Sequence, residues 1–359
     1  ITKNTKPGSR WDPALGFNGK NLVMFGGNSV YEKRIKPKSI NPKQYHRHPT
    51  RDTWKLEGKK WMNVCTSNWP GAYWHVNLTY DSSRQRLIVF GDQRIMEFDG
   101  KNWTENIIYR YGKWPLDTHY SALVFDDSRD LIIIFGGYGG GFRNALWEWN
   151  GKKIKKISPS NTPPDPRAYM ASVFASQEKA MVIFGGQQGD NIFDETWLYF
   201  GDTQTWEKIE RKGPEARYQT AMAYDKDNNQ VVLFGGRGAS GKLDDTWVLD
   251  LATRNWEEKN PKKNPGERNV HSMCYDPVRK RVILFGGVAG YVKKDCFILD
   301  NYTWEWNGKN WKRYKTPEMP GRYFTALAYD TRENAPVIFG GRTTCVNRYI
   351  SLADLWHYK

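Results

Sequence analysis

One short phrase constrains this chain more than any other: a β-branched run closing in Phe, followed by a glycine turn. The Phe recurs at Phe25, Phe90, Phe135, Phe184, Phe234, Phe285 and Phe339, at intervals of 45 to 65 residues. A period of that size marks a solenoid, a propeller or an array. The runs before the Phe decide between helix and strand. Leu131 to Phe135, Val231 to Phe234 and Val282 to Phe285 are short, continuous and bounded by Gly, so they read as buried strands.

The unit is clearest from Arg217 to Trp256. An Arg leads into an apolar segment ending in an aromatic. A turn, the Phe-Gly-Gly run, a variable loop, an apolar segment carrying Trp, another turn and a final Trp follow. Four short strands per unit make one antiparallel sheet, and such sheets set around an axis make a propeller. The expected fold is all-β, a seven-bladed propeller forming a single domain over 1–359. Its repeats begin near 10, 70, 115, 166, 214, 265 and 320.

The second unit departs from the pattern. Gly91 is followed by Asp92, and Met96 or Phe98 stands where Trp belongs; in the third unit Ile154 replaces the final Trp. The seventh unit stops after its third strand at Tyr358-Lys359, while residues 1–7 read as the tail of a fourth. The expectation is that Ile1 to Thr5 pair near Leu355 to Tyr358, closing the seventh blade and covering an open edge.

The glycine pairs at 26–27, 136–137, 185–186, 235–236, 286–287 and 340–341 resemble the kelch repeat. So do Trp54, Trp147, Trp197, Trp247 and Trp356 on third strands, and the resemblance covers essentially the whole chain. It implies a propeller that commonly holds a ligand or peptide site at one end. Some propellers of this kind are sugar enzymes, including copper oxidases and mutarotases. A carbohydrate-active enzyme is therefore the alternative to a non-catalytic binding module, and a structural scaffold is a second alternative. The oxidase ligand set of Tyr, His and a Tyr–Cys cross-link is not identifiable among these residues.

Antiparallel connectivity puts the loop leading into strand one and the loop after strand two at the same end. The leading position reads Arg10, Tyr73, Thr118, Arg167, Arg217, Arg268 and Arg322. The same end collects Arg237, Arg342, Tyr138 and Gln187. Two readings compete for the arginines. They bond loop carbonyls near the axis, or they ring a funnel with forked donors suited to carboxylate, sulfate or phosphate. The expected ligand positions are Arg10, Arg167, Arg217, Arg268, Arg322, Arg237, Arg342 and Tyr138.

Charge points the same way. The formal net charge is +15. The insertion from 28 to 51 sets Lys33, Arg34, Lys36, Lys38, Lys43, Arg47 and Arg51 against Glu32. Its cations are expected to meet a polyanion. The expected partner is a protein or an anionic glycan or other polyanion; nucleic acid is compatible with the charge, but no motif supports it.

Gly236 to Lys242 has the spacing of a phosphate loop, but Leu243 stands where Ser or Thr would hold magnesium and no helix follows. His75, His119 and His271 fall in different registers, and no paired Cys spacing or HExxH occurs. No metal and no cofactor are expected. No apolar run reaches the ~20 residues of a membrane helix. The chain begins at Ile1 without a Met, which favours a secreted or periplasmic setting. Cys296 is placed near the start of the sixth unit's third strand, about 9.6 Å from Cys274 and too far for a disulfide; a Cys296–Cys345 pair is left open.

Overall fold

The computed structural model describes strands between Arg10 and His357, and side chains chiefly of residues 120–290, 301–315 and 321–323. Among the described residues every regular element is a strand, and none is a helix.

Six sheets have four antiparallel strands in chain order. Sheet one holds Ala14–Phe17, Leu22–Phe25, Thr53–Glu57 and Lys60–Asn63. Sheet two holds Asn77–Asp81, Arg86–Gly91, Arg94–Phe98 and Trp103–Ile108. Sheet three holds Ala122–Asp126, Leu131–Phe135, Leu146–Trp149 and Ile154–Ile157. Sheet four holds Ala171–Ala175, Ala180–Phe184, Thr196–Phe200 and Thr205–Lys208. Sheet five holds Ala221–Asp225, Gln230–Arg237, Lys242–Asp250 and Asn255–Lys259. Sheet six holds Ser272–Asp276, Arg281–Phe285, Tyr302–Trp306 and Trp311–Lys315. In sheet seven the described strands are Ala326–Asp330, Ala335–Phe339 and Leu355–His357. Residues 1–7, expected to complete it, lie outside the described residues.

Second strands carry the core. Every residue of Ala180–Phe184 is buried. A strand covered on both faces has no reason to alternate, which is why these segments read as continuous apolar runs. Fourth strands are outer edges, and Ile154–Ile157 exposes Lys155 and Lys156.

One contact explains why the Phe and the final Trp recur together. The Phe of one sheet packs on the final Trp of the next: Phe135 on Trp206 at 4.8 Å between ring centroids, Phe184 on Trp256 at 5.7 Å, Phe234 on Trp311 at 5.5 Å. Burying each such side chain contributes roughly 1.5–3 kcal/mol. Two of these indoles also find an acceptor. Trp256 Nε1 donates to Thr196 Oγ1 and Trp311 Nε1 to Thr246 Oγ1, both at 2.8 Å. Sheet three has Leu146 at that register, opposite Phe135, and Trp206 Nε1 has no partner.

Register settles what the second and third units left ambiguous. Met96 lies opposite Val89, the residue before Phe90, as Trp147 lies opposite Ile134. Met96, not Phe98, therefore takes the Trp position. Ile154 lies opposite Trp149, as Trp206 lies opposite Tyr199.

The sixth unit corrects the sequence reading. Its third strand is Tyr302–Trp306, with Trp304 opposite Leu284. Cys296 belongs instead to an extra hairpin, Gly290–Lys293 with Cys296–Ile298, inserted between the second and third strands. The strand-spacing argument about Cys274 and Cys296 therefore does not apply. Cys274 is a free thiol, and burial, with Asp276 adding, pushes it up to about 12.

Candidate functional site at the glycine-turn end

The leading arginines are spent inside the protein. Arg167, Arg217, Arg268 and Arg322 are at most 2% exposed. In three of them the guanidinium repeats one pattern. Its Nε donates to the carbonyl two residues back, at Asp165, Glu215 or Gly266. One terminal nitrogen donates to the carbonyl of the first turn glycine of its own sheet, at Gly185, Gly235 or Gly286, over 3.0–3.3 Å.

Acids complete two of these clasps. Arg167 bonds Glu195 at 2.5 Å, and Arg217 bonds both carboxylate oxygens of Asp245 at 2.5 and 2.6 Å. Arg268 also meets the Pro265 carbonyl. The acid is fixed in turn by the third-strand Trp: Trp197 Nε1 donates to Glu195 and Trp247 Nε1 to Asp245. Burial alone would raise Glu195, but bonds from Arg167, Lys208 and Trp197 outweigh it and hold the carboxyl at about 2.

The backbone of each arginine joins neighbouring sheets. Gly137 N donates to Arg167 O, Gly186 N to Arg217 O, Gly236 N to Arg268 O and Gly287 N to Arg322 O, at 2.8–2.9 Å. The glycines are required by this approach. Gly185 sits at φ +68°, and a Cβ there would lie 2.3 Å from Arg217 O. The carbonyl-bonding reading of the arginines thus describes Arg167, Arg217 and Arg268. Buried guanidiniums already engaged this way present no face to a ligand.

The residue after three of these arginines meets the residue after the glycine pair of its own sheet in an isolated antiparallel bridge: Ala168 with Gln187, Tyr218 with Arg237, Asn269 with Val288. Just beyond, Tyr120, Tyr169, Gln219 and Val270 all adopt left-handed backbone with φ of 51–60°. They are linked in a belt, Tyr169 N to Tyr120 O, Gln219 N to Tyr169 O and Val270 N to Gln219 O. Non-glycine residues held there store strain that the surrounding bonds must offset.

Side chains on this belt form a tyrosine-rich mouth. Tyr120 and Tyr169 stack at 3.9 Å, and Tyr218 meets Tyr169 edge-on at 6.3 Å. Tyr138 is 43% exposed, and Arg237 and Arg143 are exposed. Arg237 pairs in the hairpin with Lys242, whose ammonium is lowered by burial and by Arg237. Deeper in, Asn269 Nδ2 donates to Gln219 Oε1 at 2.8 Å, while Asn269 Oδ1 has no hydrogen-bond partner.

The other expected positions are placed in backbone only or not at all. Arg10–Trp11 pairs with Asn28–Val30, which pairs with Arg47–Pro49. Arg342 begins a hairpin strand, Arg342–Cys345. Lys33, Arg34, Lys36, Lys38 and Lys43 lie outside the described residues. Among the described residues no group of three or more His, Cys, Asp or Glu could hold a metal ion.

Two models of known families match this chain. The Attractin/LZTR1 beta-propeller model matches residues 142–348, and the KLHDC2/KLHL20/DRC7 Kelch-repeats domain model matches residues 14–216. Each covers more than half of the sequence. The chain belongs to the kelch-repeat β-propeller family. A Rab9 effector protein with kelch motifs from Xenopus laevis is 26% identical over 156 residues. That alignment spans 39% of this kelch chain and 41% of the relative, so it covers well under two thirds of that protein.

Sequence reasoning missed the acid of the kelch clasp. It stands two residues before the third-strand Trp, and it was there to be found: Asp52, Glu195, Asp245 and Asp354 occupy that place in the four units that also lead with Arg10, Arg167, Arg217 and Arg322. The third unit has neither, with Thr118 and Ala145. A second network at the opposite end was also missed. Asp126 accepts from Arg129, which reaches Glu148 at 2.8 Å, and Asp81, Arg84 and Glu97 repeat it.

Proposed function

We propose that this chain is a closed, seven-bladed kelch propeller, one domain over 1–359, acting as a non-catalytic module that binds an acidic segment of a protein partner at its glycine-turn end. Closure is supported by neighbouring first strands. Each is adjacent to the next from sheet one to sheet seven, and Ala326–Asp330 is also adjacent to Ala14–Phe17. Residues 1–7 then supply the fourth strand of sheet seven.

One observation carries the binding reading. The bridges Ala168–Gln187, Tyr218–Arg237 and Asn269–Val288 bring two sets of loop residues from successive blades to one mouth. Exposed in these loops are Tyr138, Arg143 and Arg237, together with the acids Asp165, Asp190, Glu215 and Glu267. Aromatics and Arg are the residues that dominate binding energy at interfaces. With Arg167, Arg217, Arg268 and Arg322 internal, the forked donors for a carboxylate are Arg237 and, by their places in the repeat, Arg342 and Arg10. The insertion carrying Lys33, Arg34, Lys36, Lys38, Lys43 and Arg47 adds a positive field that speeds encounter. The printed name of the kelch relative, an effector, supports a protein as the ligand.

The test is binding of labelled oligoglutamate, a heparin fragment and a single-stranded oligonucleotide at two salt concentrations. Oligoglutamate is expected to bind with strong salt dependence. Arg237→Glu should weaken it about tenfold or more, and Lys33, Lys36 and Lys38 to Ala should reduce mainly the salt dependence. Absence of salt-sensitive binding in a folded protein, or an Arg237→Glu variant that binds as well as the parent, would overturn this reading.

A further inference from the structure

Repeats permit a comparison within one molecule. In sheet four, Lys208 lies opposite Trp197, its ammonium 5.7 Å from the indole centroid and 2.9 Å from Glu195 Oε1. In sheet six the same register holds Arg313, opposite Trp304 and 4.6 Å from the ring of Tyr302, which stands at the acid position. Both blades therefore seat a cation of their own against an aromatic at the outer edge. Sheet three places Lys156 at that register. Sheet five places Glu258 there, opposite Trp247.

The blade whose cation is replaced by an acid also borders a cleft. It has a volume of about 650 Å³ and lies between sheets four and five. Trp247, Asp245 and Glu258 line it with Asp194, Glu210 and Glu215. Of its three lining cations, Lys208 is bonded to Glu195 and Arg211 to Asn255, and Lys212 is exposed; Asp245 is already paired with the buried Arg217 behind the wall, so Glu258 is the acid that faces Trp247. The wall is electronegative. Lys208 is held above the ordinary lysine range by its bond to Glu195, opposed by slight burial, with Glu210 and Asp194 adding to the field. This is a local inversion in a chain of net charge +15.

We infer that the cleft between blades four and five is a second protein-binding site, in which Trp247 and Glu258 receive a Lys or Arg side chain from a basic segment of a partner. The partner's cation occupies the place that Lys208 fills in blade four. An ammonium or guanidinium over an indole, flanked by carboxylates, gains from both the ring face and the charges. The cleft lies at the perimeter of the glycine-turn end, away from the axial mouth, and is selective for the opposite charge.

The experiment uses the full chain and three fluorescein-labelled Gly-Ser peptides bearing lysines, arginines or glutamates. The lysine and arginine peptides should bind and compete with each other, and the glutamate peptide should not displace them. Glu258→Lys, which reproduces blade four, should cost the basic peptides about tenfold in affinity. Glu258→Gln should cost less, and Trp247→Phe should weaken binding without reversing charge preference. Glu258 is exposed, so thermal melting should be unchanged and separates binding from folding. Glu258→Gln should also leave oligoglutamate binding unaltered, so failure of this site and failure of the axial site are distinguishable. Basic-peptide affinity unchanged in Glu258→Lys, or equal displacement by the glutamate peptide, would overturn the inference.

Discussion

Arg217 does the work of a crosslink. Its guanidinium bonds two carbonyls and a carboxylate while its own carbonyl holds the turn of the preceding blade. Removing one partner of a buried pair leaves the other charge uncompensated, at a cost of about 3–5 kcal/mol. Asp245 is partly exposed, at 21% of its side chain, so solvent screening brings the cost to the bottom of that range or below it. Asp245→Ala should therefore lower stability by roughly 2–3 kcal/mol in urea denaturation. Arg217→Lys should also destabilise, because an ammonium cannot span the same acceptors.

His271 supplies the pH dependence. Burial first, and the neighbouring Arg268 second, depress its pKa to about 3. Unfolded, it titrates near the ordinary value of about 6.5. Between those values the unfolded chain takes up a proton that the folded chain refuses. Stability should fall as pH drops from about 6.5 towards 3, at up to about 1.4 kcal/mol per unit. His271→Leu should flatten that part of a denaturation-versus-pH profile. The positions of the arginines were legible in the sequence, since antiparallel order fixes their end. Their burial was not: it follows from Glu195 and Asp245, which lie 28 residues downstream of Arg167 and Arg217 and act only after folding.

At the scale of elements, the Phe–Trp contact ties each sheet to the next, and the Thr beneath it satisfies the indole. Thr246→Val keeps the shape but strands Trp311 Nε1, which should cost about 1–3 kcal/mol. Trp206 already lacks such a partner, so altering Leu146 to Val should have no hydrogen-bond component. Gly185→Ala should be far worse than an ordinary Gly→Ala change, because backbone geometry and the Arg217 carbonyl both oppose a Cβ. Failure to accumulate as folded protein is the expected outcome, read by circular dichroism. Strands were legible because β-branched runs and glycine turns are local. The third strand of sheet six was misplaced because the hairpin before it, ending in Cys296–Ile298, carries its own apolar residues, and only pairing with Arg281–Phe285 separates insert from strand.

At the scale of the whole molecule, the account depends on the ring. One face collects the leading loops of every blade only if the first strands circle a common axis, which is what the repeat period points to. Small-angle X-ray scattering tests it most directly. A closed ring of 359 residues should give a radius of gyration of about 21 Å, the value for a compact chain of this length. Its pair-distance distribution should be single-peaked and end abruptly. An open arc of the same sheets would give a markedly larger radius and a long tail in that distribution, which would contradict closure and remove the shared binding face.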